Sequence, residues 1–157
     1  ASISDKDHGL TALVERVGSL SKASVKVGVL DDRGGEAKRA RGESPVKGLT
    51  VLEVAKVHEF GTDTIPARSF IRGTVDEQES AIRADQHKLA VGWFAGKIDL
   101  GRGLHQLGAR IAAKIQQRIA RGINPPLDAR TVARKGSSKP LVDTGQLRSS
   151  ITWEVET

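Results

Sequence analysis

Apolar residues recur at two spacings along this chain, three to four and two, and the two spacings divide it into helices and strands. Leu10, Leu13, Val14, Val17 and Leu20 share one side of a helix, with Glu15 and Arg16 on the other, so residues 5–21 read as amphipathic. In the following stretch, 24–30, Val25, Val27 and Val29 alternate with Lys26 and Gly28. That is a half-buried strand. The same alternation returns at the far end, where Ile151, Trp153 and Val155 interleave with Thr152, Glu154 and Glu156. The two strands are each other's natural partners.

Between them, residues 31–48 hold charges, glycines and one proline with almost nothing to bury, which predicts a long flexible charged loop. Val51, Leu52, Val54, Ala55 and Val57 predict a short helix closed by Gly61. The segment IPARSFIR then reads as a connector, because Pro66 fixes one backbone angle and biases Ile65 to extended geometry; Pro66–Ile71 is a candidate third strand. Val75, Ile82 and Leu89, at steps of seven, predict a helix over 72–95 with a narrow apolar stripe. Leu104, Leu107, Ile111, Ile115 and Ile119 give the strongest periodicity, a helix over 101–121 stopped by Gly122. Asn124-Pro125-Pro126 opens an irregular basic stretch. Asp143 and Thr144 can accept from free N–H groups at a helix start, so Gly145–Ser149 reads as a brief capped helix, with Leu147, Ile151 and Trp153 anchoring it and the last strand. The expected class is α+β: one domain over 1–157, a small antiparallel sheet packed by long amphipathic helices.

Composition narrows the chemistry. With two Trp, three Phe and no Tyr, the core must be aliphatic and thin, so neighbouring subunits are expected to contribute stabilisation. The absence of Cys removes disulfides, thiolate metal sites and Cys nucleophiles. No apolar run approaches the ~20 residues of a membrane span, and the first residues lack a signal-peptide core. The expectation is a soluble protein made in a cytoplasm.

The net charge of +6 is regional: residues 114–148 carry eight basic and two acidic side chains. Arg118, Arg121, Arg130, Arg134, Lys135 and Lys139 are candidates to meet DNA phosphates or an acidic protein face, the bland alternative being solvated side chains. No catalytic, metal or cofactor site is expected. The histidines at 8, 58, 87 and 105 form no HExxH and no i, i+4 pair, and His58 suits a helix end electrostatically. GRGLHQLG, 101–108, follows no convincing strand and is a weak phosphate loop; no Walker sequence exists. Asp76, Glu77 and Glu79 read as acids at a helix start.

Two blocks, VAKVHEFGTDTIPARSFIRGTVDE at 54–77 and PPLDARTVARKGSSKPLVDTGQLRSSITWEV at 125–155, resemble the tail-completion, or virion morphogenesis, family of neck proteins from long-tailed bacteriophages. In that family a Glu-Phe-Gly turn precedes Ile-Pro-Ala-Arg-Pro-Phe, long helices follow, and a Thr-Gly-x-Leu-x-x-Ser-Ile segment closes the pattern. Ser69 stands where the family usually shows proline, which bears on the connector's stiffness. The resemblance implies a structural virion protein of the neck: a ring of identical subunits, six by expectation, that joins or completes the tail and lets DNA pass without sequence readout. Its implied partners are itself, other neck proteins and tail-tube or tail-terminator proteins. On this reading Ile65, Pro66, Ala67, Arg68 and Phe70 form the connector, Phe70 anchors in the core and Arg68 pairs with an acid across a subunit boundary. The alternative function is a small basic nucleic-acid-binding protein acting off the virion; a hydrolase is a remote third.

Overall fold

The computed structural model describes residues 9–30, 50–126, 132–133 and 145–157. Helix α1 spans Leu10–Leu20 and strand β1 Ser24–Val29; α2 is Val51–Phe60, α3 Arg72–Phe94, α4 Leu100–Arg121, α5 Gln146–Ser149, and β2 Ile151–Glu156. This is an α+β arrangement. The strands pair antiparallel in the register Val25 with Val155, Val27 with Trp153 and Val29 with Ile151, so both valine-rich faces coincide. That apolar face lies against α4, whose stripe supplies the fully buried Ile115 and Ile119. The other face is polar, with Lys26 paired to Glu156 and Ser24 donating to Glu156 at 3.0 Å.

Glycines set how closely α4 approaches its neighbours. A Cβ on Gly108 would sit 2.6 Å from Trp153 Cδ1 and 2.9 Å from Val25 Cγ2, and one on Gly103 would lie 2.0 Å from Leu89 Cδ1. The GRGLHQLG segment is therefore helical, and two of its glycines serve packing rather than phosphate binding.

Helix α2 begins in a reciprocal cap: Thr50 Oγ1 accepts from Glu53 N at 3.2 Å while Glu53 Oε2 accepts from Thr50 N at 2.7 Å. It ends at Gly61, where φ is +78° and an added Cβ would come within 2.8 Å of Ala67 N. The following turn folds back so tightly that a side chain has no room.

Four expectations are corrected. Pro66–Ile71 is not a strand, because its N–H groups turn to a side chain and to the end of α2 rather than to a ladder. The α3 stripe holds only in part: Val75 is exposed, Ile82 and Leu89 are half-buried with Leu89 against Gly103 of α4, and the buried residues are Thr74 and Trp93. The acids at 76, 77 and 79 lie beyond the first turn of α3, where Glu77 meets Arg118 and Glu79 meets Arg83. Helix α1 forms, but Leu10, Leu13, Val14 and Val17 are 46–68% exposed, so its apolar side is left largely uncovered by the other described residues.

Candidate functional site

The densest polar centre is built on Glu59, an acid in the last turn of α2 that is only 4% exposed. Its carboxylate accepts from Ser69 Oγ at 2.6 Å, Phe70 N at 2.8 Å, Ile71 N at 2.9 Å and Arg72 N at 3.0 Å. Arg72 Nε adds an ion pair at 3.2 Å. These N–H groups are the orphan donors at the start of α3, so a residue thirteen positions upstream caps the helix that Arg72 begins. Ser69 Oγ completes the cap by accepting from Gly73 N at 3.1 Å. Burial alone would push the Glu59 carboxyl up; the bonds from Ser69, Ile71, Arg72 and Phe70 outweigh it and hold the carboxyl below its ordinary 4.5.

Arg68 locks the opposite side of the connector. The residue is 5% exposed, and its guanidinium donates to the carbonyls of Pro125 at 2.7 Å and Pro126 at 3.1 Å, while its backbone N–H reaches the His58 carbonyl. Arg68 is thus committed within its own chain. Phe70 is fully buried in the cluster of Val51, Ala55, Ile115, Ile119, Leu147 and Ile151. Ile65 is half-buried, and Pro66 and Ala67 are exposed.

At the C-terminal end, Leu147 and Ile151 are buried, and half-buried Trp153 packs on the same cluster and donates from Nε1 to His105 Nδ1 at 3.2 Å. Gly145 occupies the position before α5 with φ +72°. Asp143 and Thr144, the predicted capping residues, lie outside the described residues.

Of the six candidate cations, Arg118 and Arg121 are described; Arg130, Arg134, Lys135 and Lys139 are not. Arg118 and Arg121 line an open cleft between the start of α3 and the end of α4, with Thr74, Glu77, Gln78 and Lys114. Arg118 pairs with Glu77 and donates from Nε to the Ser69 carbonyl at 3.2 Å, in space kept by Gly73, where a Cβ would lie 2.5 Å from the guanidinium. The Arg118 hydrogen bond lowers the Glu77 carboxyl. Lys114 donates to Gln78 at 2.8 Å, and Arg121 is exposed. Three cations against one acid suit phosphate oxygens or a carboxylate surface.

Among the described residues no cluster of three metal-ligating side chains exists, and no helix is long and apolar enough to cross a membrane. Comparison with known proteins matched no family model, no curated sequence and no solved structure.

Proposed function

We propose that this chain is a structural subunit of a bacteriophage neck, a ring that joins or completes the tail and lets DNA pass. The observation that carries the reading is where the motif residues go. Glu59, Arg68, Ser69 and Phe70, from the block resembling tail-completion proteins, are used to shape a helix–connector–helix junction. Such a junction fixes the direction of two helices, as an assembly module requires. The thin body supports the same reading: among the described residues the sheet has two strands with α4 against one face, and Phe70, Ile115 and Ile119 are the fully buried large side chains. A two-stranded sheet is marginal by itself, and packing against copies supplements it. The partners proposed are identical subunits, six in the ring, together with neighbouring neck and tail-tube or tail-terminator proteins. Arg118 and Arg121 then face passing DNA or an acidic neighbouring ring.

The test is to separate assembled particles from free protein, locate this polypeptide by mass spectrometry and image it. A ring between head and tail is the expected result. Absence from particles, together with salt-sensitive binding of free DNA by a monomer or dimer, overturns it in favour of a nucleic-acid-binding protein acting off the virion.

A further inference from the structure

Most exposed large apolar side chains gather on two features, α1 and the turn between α3 and α4. Leu10, Leu13, Val14 and Val17 line α1, and Val91, Phe94 and Ile98 surround the hairpin tip. Val25, five residues after α1, lies beside Gly108 in the first half of α4.

Helix α1 makes no substantial packing interface with any other described element. Its exit is closed locally: Ser21 N donates to Val17 O at 3.2 Å, Ala23 N to Leu20 O at 3.2 Å, and Ser21 Oγ to Gly18 O at 2.8 Å. A helix of 11 residues is marginal in water unless its apolar side is covered.

We infer that α1 of one copy docks on the α3–α4 tip of the next, making a head-to-tail contact between identical chains. Area supports this occupant. At roughly 150–200 Å² per side chain, the exposed fractions of these seven residues amount to about 500–700 Å² of apolar surface, the apolar share of an interface near 1,200 Å². Charge does not oppose it, because α1 carries only Glu15 and Arg16. A donor patch and an acceptor patch on different parts of one chain form a heterologous pair, which closes into a ring when the rotation divides a full turn. The inference rests on the self-association in the proposed function and names the surfaces that carry it.

The lack of native cysteine makes the contact directly measurable. Val14→Cys and Phe94→Cys proteins, carrying tags of different mass, are mixed under ring-forming conditions and treated with a short bismaleimide. A covalent heterodimer is expected, in several-fold excess over either homodimer. Separately, Leu13→Glu with Val17→Glu is expected to shift the assembly to monomer by sedimentation with an unchanged far-UV circular dichroism spectrum, because both side chains are exposed in the single chain. Cross-linking within one chain of the Val14→Cys, Phe94→Cys double variant at high dilution overturns the inference, since α1 then folds onto its own tip. Rings that form without heterodimer cross-links overturn it while leaving the neck assignment standing. Detection in particles tests that assignment independently.

Discussion

Ser69 Oγ donates to the Glu59 carboxylate at 2.6 Å and accepts from Gly73 N at 3.1 Å, so one hydroxyl ties the end of α2 to the start of α3. Ser69 is also the residue that departs from the proline usual in the resembled family. Stiffness that a second proline would lend by restricting φ comes here from hydrogen bonds instead. The connector stays ordered because Glu59 receives three successive backbone N–H groups, Phe70 to Arg72, at a helix end whose positive dipole favours an anion.

Glu59→Gln tests that centre. An amide keeps one acceptor oxygen but turns an NH2 toward backbone donors and removes the charge that faces Arg72. Unsatisfied buried donors and the lost charge-assisted bonds should together cost about 3 kcal/mol, read as a lower urea midpoint with an unchanged slope. Ser69→Ala should cost about 2 kcal/mol by the same measurement, since Glu59 keeps its other donors but Gly73 N loses the acceptor that satisfies it.

The pH profile follows from the sign of the Glu59 shift. The folded-state carboxyl lies below 4.5, so folding binds fewer protons than the unfolded chain as pH falls through that range. The stabilisation is complete above the unfolded value and is lost as pH drops through the folded one. Wild-type urea midpoints should therefore fall between neutral pH and pH values below 4.5. Glu59→Gln should flatten much of that decline; equal slopes in the two proteins would show that other carboxylates carry it.

The fold was legible wherever one period dominated. The valine alternation of β1 and the Ile151, Trp153, Val155 alternation of β2 specify both strands and their mutual register, because a slip by one residue would turn every apolar side chain to water. The α4 periodicity is equally direct. Helix α3 was harder, since its contact with α4 is partly polar, through Gln78 with Lys114 and Asp85 with Arg110. Hydrophobic spacing cannot report such a face. Glu59 was missed for a related reason: an acid beside a histidine at a helix end reads as surface, and only the fold brings the connector's N–H groups to it. The Thr50 to Glu53 cap, by contrast, was available as a Thr-x-x-Glu spacing.

Gly108→Ala asks whether the approach of α4 to the sheet is fixed. Alanine favours a helix by about 1 kcal/mol over glycine. Its methyl would overlap the base of the Trp153 ring and Val25, both held in the strand pair beneath α4. Overpacking of this kind costs roughly 1–3 kcal/mol, so a net loss of up to about 2 kcal/mol in thermal or urea unfolding is expected. Loss of the Trp153 to His105 hydrogen bond should accompany it, as a shift in tryptophan fluorescence.

Gly73→Ala probes the cleft with a milder balance. The new methyl meets only the Arg118 guanidinium, the far end of a flexible side chain, which can swing away toward solvent. The helical gain of about 1 kcal/mol then offsets part of what is lost, a half-exposed ion pair typically worth under about 1 kcal/mol and the Arg118 bond to the Ser69 carbonyl worth about 1 kcal/mol, so a net loss of no more than about 1 kcal/mol is expected. The electrostatics should change clearly. With Arg118 displaced, the cause that lowers Glu77 is removed, and its carboxyl should titrate closer to 4.5 by NMR. The released guanidinium, next to Arg121 and Lys114, would also leave the cleft more positive, so retention on an anionic column should increase. An unmoved Glu77 titration would mean that Arg118 keeps its pairing despite the methyl, and that the cleft's charge is not set by Gly73.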